Sequence, residues 1–238
     1  MKEKEDWTGK FVTEFFAGIK SFVQEEVDIA AGVSALFAIK NAREQENVDH
    51  AGLACRRLMK SVFVPEMESV MRSGRKVKHS KLAEKLETML STPEAFGVKY
   101  PASLLDICHQ PIVQSGGSYS LKPSAISDDH PLSQDIIICS VGVRYASYCA
   151  ALARTFFINP SLFQQKCYAA LTEVESAVIK RLVPGAVLGE VYDYAVALLN
   201  EKAPFLLPHF MKECGTGIGL EFRESSLRIR SGNKEEVK

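Results

Sequence analysis

Two apolar segments with a turn-like stretch between them constrain the fold of this chain more than any other feature. The segments are IIICSVG (136–142) and YCAALARTFFI (148–158), and the stretch VGVRYAS (141–147) is typical of a turn. Apolar, partly β-branched runs of this length, bounded by turn residues, form strands that other elements cover. The sequence therefore predicts an antiparallel hairpin in a buried sheet over residues 136–156.

Helical patterns precede this hairpin. Residues 10–26 carry aromatic and aliphatic side chains at the spacing of an amphipathic helix, whereas the apolar segment 27–40 predicts a strand or turn. Asn41 and Glu44 have the spacing of a capping box and predict the start of the next helix. Pro65 lies within the pattern that follows, and it predicts a kink because proline cannot donate a backbone hydrogen bond.

Further elements follow the hairpin. Ser161 is a suitable N-cap for a helix over residues 162–182, and a second helix is predicted over 188–201. The segments 217–222 and 226–230 predict strands. Together these patterns predict an α+β fold in which helices flank an antiparallel sheet.

Composition excludes several classes of protein. Lys plus Arg and Asp plus Glu both number 29, so the formal net charge is zero, which argues against a dedicated nucleic-acid binder. The six cysteines include no C-x-x-C pair and predict reduced core thiols rather than a zinc site or a disulfide framework. No apolar run reaches the roughly 18 residues of a membrane span, and the N-terminus has no signal-peptide core. These features predict an intracellular protein with no membrane partner.

The usual catalytic motifs are absent from the sequence. No two histidines have the i, i+4 spacing of a helical metal pair, and no H-E-x-x-H or G-x-S-x-G motif occurs. The acidic and imidazole groups at 128–130 lie in a Ser/Asp/Pro segment that is typical of a turn. The glycine-rich segment 215–219 is followed by a predicted strand rather than a helix, which argues against a nucleotide site.

Two segments nevertheless resemble the metal-binding segments of the methionine aminopeptidase/creatinase family, the pita-bread metallopeptidases. They are CGTGIGLEFRE (214–224) and IIICSVGVRYASYCAALARTF (136–156). The resemblance implies a pita-bread fold and places metal-binding aspartates at positions 140 and 151 and a histidine at 216. This chain has Ser140, Ala151 and Thr216 there. Because a divalent metal needs several charged or imidazole ligands, the expectation is a peptidase scaffold without metal or catalytic residues.

Within that family, the chain is most similar to the N-terminal domain of the large subunit of FACT histone chaperones, particularly to plant members. The segments that carry this resemblance are SGGSYSLKPSA (115–125), PGAVLGEVYDYA (184–195) and the two named above. The resemblance implies a domain without enzyme activity or cofactor. It implies histones, nucleosomes and a high-mobility-group small subunit as partners, with the small subunit held by regions absent here. It also implies nucleosome reorganisation in transcription, replication and repair, and location in the nucleus on chromatin.

The resemblance also suggests which residues bind a peptide or histone. The candidates that would line the former catalytic cleft are Lys122, Glu221, Arg223 and Glu224. The alternative for Arg223 is an ion pair with one of the glutamates, since charged groups in a cleft are usually paired. With a neutral chain, histone affinity would come from local acidic patches such as Glu221/Glu224 or Glu173/Glu175.

The resemblance divides the chain into two parts. Residues 1–40 are expected to be a linker helix and strand leading from an absent N-terminal lobe, and residues 41–238 an incomplete pita-bread domain without its C-terminal strands. Two other functions remain open at this point. One is a metal-dependent aminopeptidase or prolidase, and the other is a truncated paralogue without independent function.

Overall fold

The computed structural model describes residues 9–20, 22 and 27–238, and the chain divides into two compact units, Met1–Val33 and Ser34–Lys238. In the first unit, helix α1 spans Lys10–Lys20. The amphipathic pattern therefore predicted this helix correctly, although part of the predicted segment, 21 and 23–26, lies outside the described residues.

The strand or turn predicted over residues 27–40 is wrong, because helix α2 spans Ala30–Ala38. The Asp28 carboxylate accepts a hydrogen bond of 2.8 Å from the Ala30 backbone N–H, which satisfies one free donor at the helix start. The segment is rich in alanine, the residue with the highest helix propensity. Local propensity therefore decides the structure here.

Helix α3 spans Ala42–Leu58 and begins with the predicted capping box. The Asn41 side chain accepts from the Glu44 N–H at 3.0 Å, and the Glu44 carboxylate accepts from the Asn41 N–H at 2.7 Å. A π-helical segment, Met59–Phe63, lies where a kink or break was predicted before Pro65 and leads without a gap into α4, Val64–Ser73, so the helix is not broken there. A wider turn before proline accommodates the missing backbone donor.

Helix α5, His79–Thr88, is held by a network of hydrogen bonds from a buried histidine. His79 is 2% exposed, and its two ring nitrogens lie 2.6 Å from Asp128 Oδ1 and 2.7 Å from Ser115 Oγ. His130 Nδ1 lies 2.9 Å from the other oxygen of Asp128. The network ties the start of α5 to the loop at 128–130, which is the turn that the sequence predicted.

The main sheet is antiparallel with the order β1 (Leu105–Ser115), β2 (Ile136–Tyr145) and β3 (Tyr148–Phe157), so the predicted hairpin is confirmed. Its turn is shorter than the pattern 141–147 indicated. Only Ala146 and Ser147 form it, with φ of 45° and 76°, as expected for a two-residue type I′ turn. The inner side chains of β1 and β2 join α3, α4 and α5 in the larger hydrophobic core.

A second, smaller core lies between α6 (Leu162–Arg181), α7 (Leu188–Lys202) and a two-stranded ribbon of β4 (Gly215–Gly217) and β5 (Glu224–Ile229). Both predicted helices are confirmed, and Ser161 caps α6 in a capping box with Gln164. The predicted strand over 217–222 is wrong, because residues 218–223 form a loop between β4 and β5. Short 3₁₀ helices span Met89–Ser91, Pro93–Phe96, Ala102–Leu104 and Pro204–His209.

Candidate functional site

The outer face of the main sheet carries the positions that the family resemblance singled out. Val141 and Val143 point into the larger core, so the alternation of a strand turns Gly142 and Ser140 to the opposite face. Ser140 pairs with Ala153 of β3, and Gly142 pairs with Ala151. Positions 140 and 151 therefore lie on neighbouring strands and share the outer face.

The loop 218–223, which we call the site loop, packs on this face. The Cys149 N–H donates to the Gly219 carbonyl at 2.7 Å, and the Arg144 guanidinium donates to the Leu220 carbonyl at 3.2 Å. The rings of Phe222 and His109 lie 4.8 Å apart, and burial lowers the pKa of His109. These contacts hold the loop against β1, β2 and β3.

Glycines allow the close approach of β4, β5 and the site loop. A Cβ atom at Gly217 would lie 2.6 Å from Glu224 Oε2, and one at Gly219 would lie 2.6 Å from Lys40 Cε. A side chain at either position would force a neighbour to move: Leu227, whose Cβ is 2.8 Å away, at Gly217, and the Lys40–Glu224 pair at Gly219. The Thr216 hydroxyl lies 3.2 Å from the carbonyl oxygens of both Gly217 and Glu224, so it is engaged with backbone of the same ribbon.

Glu224 is not an open binding group. Its Oε1 lies 2.5 Å from the Lys40 ammonium, and the two side chains are only 10% and 15% exposed. Lys40 also donates to the Ala38 carbonyl at 3.0 Å. Glu224 Oε2 is buried, and it accepts no hydrogen bond within the described part of the chain. Glu224, one of the predicted binding residues, is therefore engaged in holding Lys40 in place. Lys40 was not among the residues that the sequence singled out.

Arg223 is likewise paired, but with neither of the two glutamates that the alternative for this residue named. Its partner is Glu213, which also accepts from the Arg228 guanidinium at 3.4 Å. Both arginines belong to the segment 223–228, whereas Glu213 precedes β4. Glu213 was not among the candidates, and the partner is therefore neither Glu221 nor Glu224.

The structure brings two of the four candidates together. Lys122 and Arg223 line one groove of about 650 Å³, together with Thr216 and apolar side chains from both of its walls. Glu224 lines a different groove of about 540 Å³, together with Lys40 and Thr216. Glu221 is exposed on the site loop, lines neither groove and makes no ion pair with any described residue.

Residues 9–20, 22 and 27–238 contain neither a cluster of metal ligands nor a membrane-spanning helix. Within these ranges no three His, Cys, Asp or Glu side chains are arranged to hold a metal ion. None of the helices in the same ranges has the length and apolar character needed to cross a bilayer. The residues at positions 140, 151 and 216 belong to no cluster of acidic or imidazole groups in the described structure.

The helix-covered sheet and the glycine-lined ribbon define a peptidase-like domain. The chain belongs to metallopeptidase family M24, whose profile matches residues 46–238. The prolidase of Thermococcus sibiricus superposes with a TM-score of 0.72 at 21% identity, over 98% of this chain and 59% of that chain. The α+β pita-bread fold predicted from the motifs is therefore confirmed.

The similarity to one branch of the family is more specific. The N-terminal domain of FACT complex subunit SPT16 from chickpea superposes with a TM-score of 0.92 at 38% identity, over 99% of this chain and 56% of that chain. The SPT16 subunits of maize and Arabidopsis thaliana are 37% and 40% identical over 99% and 94% of this chain. The predicted resemblance to FACT large subunits is confirmed. The chain spans less than a quarter of the length of these two curated relatives, 23% and 21%.

Proposed function

We propose that this chain is a non-catalytic, histone-binding domain of the kind found in FACT large subunits or in a short relative of them. The observation that carries the proposal is the identity of 37–40% with SPT16 over nearly the whole chain, against 21% with the prolidase. In this proposal the protein is nuclear and works on nucleosomes in transcription, replication and repair. Histones are its partners, and regions outside this chain hold the high-mobility-group small subunit.

The residues at the family's ligand positions support the absence of metal chemistry. Ser140, Ala151 and Thr216 offer two neutral hydroxyl groups and a methyl group where a divalent metal needs acidic or imidazole ligands. The Thr216 hydroxyl is in addition engaged with backbone carbonyls. The residues present therefore do not fit a metal, and an aminopeptidase or prolidase function has no ligand set to support it.

Ion pairing decides which of the proposed acidic patches remain available for histones. Glu224 is paired with Lys40, and Glu173 lies 2.8 Å from the Lys202 ammonium. Glu221 and Glu175 are exposed and have no ion-pair partner among the described residues. Exposed, unpaired carboxylates can attract the basic side chains of a histone without first breaking an existing pair. The proposal therefore rests on Glu221 and Glu175.

A titration with charge-reversal variants tests this proposal. Labelled core histones are titrated with the wild-type chain and with Glu221→Lys and Glu175→Lys at physiological salt. Glu87→Lys is the matched control, because Glu87 is exposed on α5, on the other side of the sheet from the site loop. Weaker binding by either site variant, with the control unchanged, would support the proposal. Equal binding by all four chains would reject these carboxylates as contacts.

We further propose that residues 41–238 carry this function and that residues 1–40 are the linker. A chain that begins at residue 38, and so keeps the Lys40–Glu224 pair and the Ala38 carbonyl that accepts from Lys40, should then bind histones as the full chain does. A broad, non-cooperative thermal transition of the full chain would instead favour the remaining alternative, a truncated product without independent function.

A further inference from the structure

The larger of the two grooves described above, with a volume of about 650 Å³, lies between the segments 119–123 and 211–216. We call it the basic groove. Its first wall is tied to the main sheet, because the Tyr119 hydroxyl donates to a backbone carbonyl of β2 at 2.8 Å. The backbone of Ser120 also exchanges hydrogen bonds of 2.7 and 3.1 Å with the side-chain amide of Gln114 on β1.

The second wall of the basic groove is fixed as well. The Met211 carbonyl accepts a hydrogen bond of 2.8 Å from the Tyr192 hydroxyl of α7. The Cys214 N–H donates to the Ile229 carbonyl of β5 at 3.0 Å. Both walls are therefore in place before a ligand binds, so binding does not have to order them.

Positive charge predominates in the basic groove. Lys122 is exposed and makes no ion pair with any described residue. Arg223 and Arg228 pair with the same carboxylate, that of Glu213, which is the one acidic side chain among the described residues that line the groove. Three cations and one carboxylate leave two positive charges in excess, although the formal net charge of the chain is zero. This local excess attracts an anionic ligand and repels the basic segments of a histone.

The walls of the basic groove are apolar between these charges. Leu121 on the first wall is 60% exposed, and Met211 on the second wall is 44% exposed. Pro123 adds a further apolar side chain to the first wall. Large apolar side chains on both sides of one groove favour a ligand that carries apolar groups of its own.

From these observations we propose that the basic groove binds an acidic peptide segment of a partner protein, one that carries Asp or Glu together with aliphatic side chains. Its carboxylates pair with Lys122 and Arg223, and an aliphatic side chain lies between Leu121 and Met211. The inference goes beyond the proposed histone function, because histones are basic whereas the ligand of this groove is acidic.

A nucleic acid is the competing anionic ligand, and the groove fits it less well. Nucleic acids carry charge at regular intervals along their backbone, so they bind to extended rows of cations. The basic groove instead concentrates its cations in one space of about 650 Å³, a size suited to a few side chains. Phosphate groups would also leave Leu121 and Met211 without an apolar contact.

The test is a fluorescence anisotropy titration of the full chain against a short fluorescein-labelled peptide of Glu, Asp and Leu. The comparison probes are a peptide of the same charge with Ser in place of Leu, and a labelled single-stranded oligonucleotide. We expect saturable binding of the Leu-containing peptide, weaker binding of the Ser-containing peptide and the weakest binding of the oligonucleotide. The affinity for the Leu-containing peptide should fall as salt is added, because exposed charges contribute to it.

Three variants at exposed positions complete the experiment. Lys122→Glu should weaken binding of the Leu-containing peptide about tenfold, since it replaces an attraction by a repulsion. Leu121→Ser should weaken binding of the Leu-containing peptide more than that of the Ser-containing peptide. Lys76→Glu is the matched control and should change nothing, because Lys76 is exposed, has no ion-pair partner among the described residues and lines no part of the groove.

Several results would overturn the proposal. They are the absence of saturable peptide binding, equal binding by wild type and Lys122→Glu, and equal affinity for the two peptides. Tighter binding of the oligonucleotide than of the Leu-containing peptide would overturn the choice of ligand. None of these results depends on whether the chain binds histones.

Discussion

The buried pair of Lys40 and Glu224 gives the sharpest prediction for stability. Their charged atoms lie 2.5 Å apart, and their side chains are 15% and 10% exposed. Removal of one partner from a buried pair typically costs about 3–5 kcal/mol, because the remaining charge is left without compensation. In Lys40→Met, the Glu224 carboxylate would lose its only side-chain partner, since Oε2 already lacks one within the described residues. Because both side chains keep some solvent exposure, the expected loss of unfolding free energy lies at the lower end of this range, about 3 kcal/mol.

Urea unfolding followed by far-UV circular dichroism measures the loss of unfolding free energy in Lys40→Met relative to the wild-type chain. The double variant Lys40→Met/Glu224→Gln, which removes both charges, should recover about half or more of the loss at pH 7. A loss below about 1 kcal/mol for Lys40→Met would refute the reasoning, since that is the size of an exposed pair. A double variant as unstable as the single variant would refute it too.

Three further predictions follow from the same structure. Gly219→Ala places a Cβ atom 2.6 Å from Lys40 Cε and should cost about 1–3 kcal/mol in urea unfolding; an unchanged midpoint would contradict the packing argument. Hydrogen bonds from His130 and His79 lower the pKa of Asp128 to about 2. The folding stability that these hydrogen bonds contribute is therefore complete above pH 4 and is lost as the pH falls towards 2. Asp128→Asn should therefore lower the free energy of unfolding by about 1 kcal/mol at pH 7, a value discounted for the solvent exposure of Asp128. The difference in stability between variant and wild type should narrow in acid, and a difference that stays constant with pH would contradict this prediction. Finally, the purified chain should retain no stoichiometric Mn, Co or Zn after dialysis and should not hydrolyse X-Pro dipeptides; retained metal would contradict the ligand argument.

Local patterns were sufficient to predict much of the fold. The Asn41–Glu44 and Ser161–Gln164 capping boxes involve residues three positions apart, so their donors and acceptors can be read directly from the sequence. The hairpin follows from two apolar runs around a short turn. Once its turn is placed at Ala146 and Ser147, positions 140 and 151 must lie on neighbouring strands.

The sequence did not predict contacts between distant segments. Lys40 and Glu224 are 184 positions apart, so nothing near Glu224 indicates that its carboxylate is buried and paired. The partner of Arg223 is ten positions away across β4, and only the ribbon geometry brings it close. The segment 217–222 has strand-like composition, but residues 218–223 form a loop in which Gly219 lies against Lys40 and Glu224, and these contacts are distant in sequence.

The most direct test of the account is a binding isotherm of labelled core histones with the wild-type chain at physiological salt. The chain is first shown to melt cooperatively, so that a negative result cannot come from unfolded protein. The account predicts saturable binding that Glu221→Lys or Glu175→Lys weakens. The absence of saturable binding by a cooperatively melting chain would contradict it, and the domain would then serve as a docking or structural module.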